Sequence, residues 1–221
     1  MDYAWFVATL KERLAPLARS DRFEFQSTIY QGMPLALIDA FETAIAGEDG
    51  MAGFHVPEDL KRFYTAANGL YVHWVDREPD EWLRRSDGAS VTYQPAGLAT
   101  ISFLSQLYAL DESGESRSRA IYDRYTLFDR ADGWDQVALR FDHDRPDPEF
   151  YLYERDTARY HPLSLNIVTY MEVLLETRAL AGWQEFFIAD PSYQIEPVKA
   201  EWFRSTLHRF FPDADTSHFQ R

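Results

Sequence analysis

The stretch from Phe54 to Trp74, FHVPEDLKRFYTAANGLYVHW, is sharply punctuated, and its reading sets the fold class. Pro57 sits where a helix opens, and Glu58 and Asp59 occupy the first turn, where the positive end of the helix dipole favours carboxylates. Leu60, Phe63, Tyr64 and Ala67 recur at helical spacing as an inner face. Asn68-Gly69 then predicts a left-handed stop, and Leu70 to Val75 a strand.

Upstream, Tyr3, Phe6, Val7, Leu10, Leu14 and Leu17 predict one amphipathic helix over residues 3–18, with Asp2 placed to cap it and Lys11, Glu12 and Arg13 turned outward. Arg22 to Ile29 reads as a short strand ended by Gly32. Pro34 then opens a second helix whose stripe is Leu37, Ile38, Phe41 and Ile45, up to Gly47.

Downstream the period shifts to two. Ser90–Tyr93, Leu98–Ser102, Ala120–Phe128, Gln136–Phe141 and Glu149–Tyr153 read as strands, separated by Asp87-Gly88, Asp132-Gly133 and the run DHDRPDPE. Leu104 to Leu110 fits a short helix, and Val137–Phe141 is expected to pair antiparallel with Phe150–Tyr153. Ser164 is placed to cap a helix with Ile167, Val168, Met171, Leu174 and Leu175 on one face, ending near Gly182. A last amphipathic piece, Trp202, Phe203, Leu207, Phe210 and Phe211, precedes Pro212. Helices at both ends with strands grouped between them predict an α+β fold, a mainly antiparallel sheet flanked by helices. The expected organisation is a helical extension over 1–30, the main α+β domain over 31–190 and a helical extension over 191–221 packed on that domain.

The 221 residues are long enough to bury roughly 70% of the unfolded chain's surface, so stability needs no staple. The absence of cysteine excludes a disulfide framework, a thiolate nucleophile and a zinc finger. No basic, apolar leader begins the sequence and no stretch approaches eighteen consecutive apolar residues, so a cytoplasmic protein is expected. A net charge of −14 repels phosphate backbones and anionic membranes, which points to a basic protein partner, with no nucleic acid and no membrane.

Asp142, His143, Asp144, Asp147 and Glu149 crowd the segment FDHDRPDPEFYLY. Alternating carboxylates suit a hard cation, but the spacing lacks the glycine and terminal glutamate of a calcium loop, and two prolines favour a solvated hairpin connection. None of the six histidines has a close ligand spacing, and G-x-S-x-G, P-loop and G-x-G-x-x-G devices are missing. The reading is therefore a non-enzyme without metal or cofactor, with a metal-assisted hydrolase using Asp142 to Glu149 as the alternative. The partner-binding candidates are Asp142, Asp144, Asp147 and Glu149, extended by Asp76, Glu78, Asp80 and Glu81. Trp82 and Trp134, in the polar settings DEWLRR and ADGWDQ, are candidate interface anchors; packing on an adjacent strand or an arginine stem explains them as well.

The order LIDAFETAI, a loop, then VPEDLKRFYTAANGLYVHW resembles the opening of the SUKH superfamily, which holds fungal regulators of cell-wall glucan synthesis and bacterial immunity proteins of polymorphic toxin systems. GLATISFLSQLYAL, VALRF, EFYLY and SLNIVTYMEVLLE continue the resemblance, which spans residues 34–188. It implies a sheet flanked by helices used chiefly to bind other proteins, with no catalytic set to carry over. The function it implies is a cytosolic immunity protein that occludes a toxin, with a regulatory or adaptor protein of the same fold as the alternative.

Overall fold

The computed structural model describes residues 1–47, 53–78, 81–84, 90–107, 125–131, 135–142, 145 and 147–220, with the backbone alone for 81–84, 90–93 and Leu107. Helix α1 (Tyr3–Arg19) begins as its sequence dictates, with Asp2 Oδ1 accepting from the amides of Ala4 and Trp5 at 3.0 and 3.1 Å. Its buried side chains are Tyr3, Phe6, Leu10, Leu14 and Leu17, the i, i+3, i+4 stripe of an amphipathic helix. Strand β1 (Phe23–Gln31) follows, then α2 (Leu35–Ala46) and α3 (Glu58–Ala66).

Helix α3 runs directly into β2 (Ala67–Asp76), so Asn68-Gly69 is not the helix stop its sequence suggests. Ala67 is already extended, and the end of α3 is met by a distant segment: Met33 donates its N–H to Tyr64 O at 2.9 Å, and a Cβ on Gly32 would lie 1.9 Å from Thr65 O. Gly69 does take a positive φ, +95°, but uses it inside the strand, where the β1 register slips between Ile29 and Gln31. There its bare Cα lets Ile101 O and Phe103 approach, space that a side chain would fill.

The strands β3 (Glu81–Arg84) and β4 (Ser90–Tyr93) pair antiparallel, placing Trp82 in a strand. Strand β5 (Ala96–Ile101) returns along β2, giving an antiparallel sheet β1-β2-β5. The short α4 (Leu104–Leu107) is followed by β6 (Thr126–Arg130), β7 (Gln136–Arg140), β8 (Glu149–Glu154) and β9 (Arg159–Pro162), an antiparallel sheet in that order. The expected pairing of β7 with β8 is present, with Val137 opposite Leu152 and Leu139 opposite Phe150.

Helix α5 (Ile167–Thr177) is capped by Asn166, reciprocally with Thr169, and not by Ser164, whose hydroxyl instead donates to Phe187 O. It ends at Thr177, short of Gly182, because Arg178 and Ala179 both adopt positive φ. A 3₁₀ turn (Trp183–Phe187) and α6 (Pro197–Phe210) complete the chain's main elements. No helix among the described residues is long and apolar enough to cross a membrane.

The two sheets meet at a seam. Ser102 N–H donates to Phe128 O at 2.9 Å, but Thr100 N–H finds no carbonyl and donates to the Asp129 carboxylate at 2.6 Å. A bulge between Leu127 and Asp129 turns that side chain inward. At the other end of β5, Leu98 N–H donates to Ala179 O and Ala181 N–H donates to Ala96 O, so the segment after α5 lies beside β5. One face of the joined sheets is buried: Leu70, Val72, Trp74, Ala99, Ile101, Phe128, Val137, Leu139, Phe150 and Leu152 form a single core with α1, α3, α5 and α6. The terminal helices α1 and α6 thus share the core of the central strands.

Candidate partner-binding face

The alternation of strands puts every second side chain on the face opposite the core. On β8 the sequence FYLY sends Phe150 and Leu152 inward and Tyr151 and Tyr153 outward. In register with them stand Ala138 of β7, then Pro162 and Tyr160 of β9. Tyr125, just ahead of β6, stacks on Tyr160 with centroids 3.6 Å apart and planes at 9°, and meets Tyr151 edge-on at 4.9 Å. Tyr153 packs on Tyr160 at 4.7 Å. Tyr160 is 39% exposed.

A polar rim borders these rings. The Tyr151 hydroxyl donates to Glu149 Oε2 at 2.8 Å and accepts from the Arg140 guanidinium, while Arg145 pairs with the other oxygen of Glu149. Partial burial and the neighbouring Glu149 push the Tyr151 phenol above its usual range, so it stays a neutral donor.

The same face continues across the seam through Leu127 to a groove of about 450 Å³. Tyr30, Tyr71, Phe103, Gln106 and Arg130 line it. Tyr30, 42% exposed, meets Phe103 edge-on at 4.7 Å. Aromatic rings thus stand near both ends of this side, with Tyr30 and Tyr71 on β1 and β2 and Tyr151, Tyr153 and Tyr160 on β8 and β9, while Ala138 between them is buried.

The acidic surface expected from the sequence is divided. Asp76 is not part of it: only 2% exposed, it is held by Arg22 through Nε at 3.0 Å and Nη2 at 2.7 Å, because it closes the buried row of β2 opposite Phe23. Glu78 is exposed and joins the same arginine at 2.8 Å. Asp142 and Asp147 are exposed beside the β7–β8 connection, and Glu149 is half-buried with the partners given above. Strand directions set the two groups at opposite ends of the sheet: Asp76 lies by Pro95 at the start of β5, whereas the β7–β8 connection lies past Thr126, beyond β5's Ser102 end. Asp80, Trp134 and Asp144 lie outside the described residues, as do the side chains of Glu81 and Trp82.

Sequence reasoning passed over Tyr125, Tyr151, Tyr153 and Tyr160. The period-two signal in EFYLYE separates Tyr151 and Tyr153 from the core, but which face the helices cover is set by topology. Among the described residues no group of three or more His, Asp or Glu side chains is placed to hold a metal ion. Comparison of the chain with protein-family models, with curated proteins and with solved structures gives no match.

Proposed function

We propose that the chain is a protein-binding module that docks a basic partner on its outer sheet face. The observation that carries this reading is the row of tyrosines on the side opposite the helices, with Glu149, Asp142 and Asp147 at its border. Aromatic rings at the centre and polar groups at the rim match the anatomy of protein interfaces. Tyrosine faces attract guanidinium and ammonium groups, and the exposed Asp142 and Asp147 beside them add charge complementarity within a chain of net charge −14, whereas Glu149 is held by Arg145 and Tyr151. The resemblance to the SUKH superfamily supports a toxin domain as the partner and immunity as the role. A nuclease toxin, with a cleft built for a polyanion, has the charge that such a face would meet.

The test is a titration of the ¹⁵N-labelled chain with an arginine-rich peptide, with polyglutamate as the control. Shifts are expected at Tyr125, Tyr151, Tyr153 and Tyr160, with affinity falling roughly tenfold in Tyr160→Ser, about 1.4 kcal/mol. Shifts confined to other surfaces, or an affinity indifferent to Tyr160→Ser, would overturn the assignment of the face. For the toxin role, the neighbouring gene decides: a secreted protein ending in a toxin module supports immunity, and a metabolic operon counts against it.

A further inference from the structure

The two edges of the joined sheets are built differently. At one edge β9 is four residues long, carries Arg159 and Pro162, and is covered at its end by residues 187–189, where Ala189 N–H donates to Pro162 O. At the other, β1 runs for nine residues, FEFQSTIYQ, with no proline, no lysine and one charge, Glu24. Arg77 N–H donates to Arg22 O, so the even-numbered residues of β1 face β2, while Phe23 N–H turns away to Ser20 O. By that alternation Phe25, Ser27 and Ile29 direct their N–H and C=O groups to the open side, and none of these has a backbone partner among the described residues.

Beside this edge, a groove of about 360 Å³ separates β1 from α1, with Lys11, Leu14, Ala15 and Ala18 on the helix side and Phe25, Ser27 and Ile29 on the strand side. Ala15 and Ala18 are small, so the groove has room for a further strand's side chains.

We infer that β1 pairs antiparallel with β1 of a second copy of this chain, centred on Ser27. The edge is self-complementary in that register: Phe25 faces Ile29 of the partner subunit, the apolar side chains of both copies lie over the grooves beside α1, and the free backbone groups satisfy each other. The charge pattern admits this pairing. Residues 3–33 hold Lys11, Arg13, Arg19 and Arg22 against Glu12, Asp21 and Glu24, so the chain's negative charge lies elsewhere and two copies meet at this edge without concentrated repulsion. The pairing leaves the outer tyrosine face free, so the two surfaces are independent.

Three variants at Ser27 and a control at Gln31 test it, read by light scattering across a concentration series and by circular dichroism for fold. The parent chain is expected to dimerise. Ser27→Pro removes the central donor at a position where a monomeric edge strand tolerates proline, and Ser27→Lys sets two like charges across the two-fold axis; both should be folded monomers. Ser27→Cys introduces the only thiol. In the stated register the two Cα atoms are about 5.5 Å apart, within disulfide reach, so mild oxidation should give a covalent dimer. Gln31→Cys is the control, since its copies would sit roughly 27 Å apart and stay unlinked. A parent chain that stays monomeric, or a dimer that survives Ser27→Lys, overturns the pairing. A covalent dimer formed by Gln31→Cys and not by Ser27→Cys overturns the register.

Discussion

Replacing Asp129 by asparagine isolates the energy of one buried charge at the seam between the sheets. The side chain is fully buried and accepts from Thr100 N at 2.6 Å, from Tyr170 Oη at 2.7 Å and from the Arg130 amide. Burial wins over these three donors, raising the carboxyl pKa from its usual 3.8 to about 6. The folded chain therefore holds the proton more tightly than the unfolded chain. The stability that this proton contributes is fully present below pH 3.8, is lost as the pH rises to about 6, and stays lost above it. At 1.36 kcal/mol per pH unit the loss is about 3 kcal/mol. Asparagine keeps the shape and cannot ionise, so the stability difference between parent and Asp129→Asn should move by about that amount across the window, in the variant's favour as the pH rises. Urea melts at stepped pH give the difference, in which carboxylates common to both chains cancel. Asp129→Ala, by contrast, orphans the buried Thr100 amide and Tyr170 hydroxyl and should cost roughly 2–6 kcal/mol near neutral pH. A parent-minus-asparagine difference that stays constant between about pH 4 and 7 would refute the assignment of a buried, strongly perturbed carboxyl.

Other perturbations follow from the packing. Gly97 faces Trp74 so closely that a Cβ would stand 2.1 Å from the indole nitrogen, which itself donates to Arg178 O at 2.7 Å. Gly97→Ala should thus lower the urea midpoint, by about 1–3 kcal/mol of stability or more. Phe6→Ala empties a fully buried position on α1 and should cost about 3–5 kcal/mol; an unchanged melting temperature would show that α1 is not part of the core. Arg22→Gln leaves the Asp76 carboxylate buried without its ion pair, and because Arg22 is partly exposed the expected cost is about 1–3 kcal/mol, to be measured against Asp76→Asn in a double-mutant cycle.

What could be read from the chain beforehand was local. Asp2 and the five buried positions of α1 announce their helix without help from the rest of the molecule, and the β7–β8 pairing follows from two alternating runs joined by a proline-rich turn. The misreadings share a different cause: a partner far away in sequence. Met33 closes the end of α3, so Asn68-Gly69 is free to serve β2. Phe187 takes the Ser164 hydroxyl, leaving the cap of α5 to Asn166. Arg178 holds a left-handed turn because its guanidinium lies over Phe211, 4.7 Å from the ring centre, and reaches Asp213 at 2.5 Å. Asp76 gave no sign of being buried, since nothing near it in sequence marks Arg22 as its counterion. The tyrosine face was half visible, in the alternation of Tyr151 and Tyr153, and became a surface only when Tyr125 and Tyr160 arrived from two other segments.

The position of β5 bears on how the chain is made. Its inner edge is finished by groups that emerge late: Phe128 and Asp129 at one end, Ala179 and Ala181 at the other. During synthesis from the N-terminus, the first three strands of the sheet order can align while that edge still stands open. Trp74 waits for the same late segment, since the carbonyl that receives its indole N–H belongs to Arg178. A ribosome that has delivered the chain only through β5 therefore holds a sheet with an unfilled strand edge and a central tryptophan that has Phe23 against it but neither Phe210, Phe211 nor its hydrogen-bond acceptor, a species prone to pairing with its neighbours on a polysome. Residues 178–181 fill that edge when they leave the exit tunnel, but the core closes only with α6, which follows them, so the chain folds late in its own synthesis.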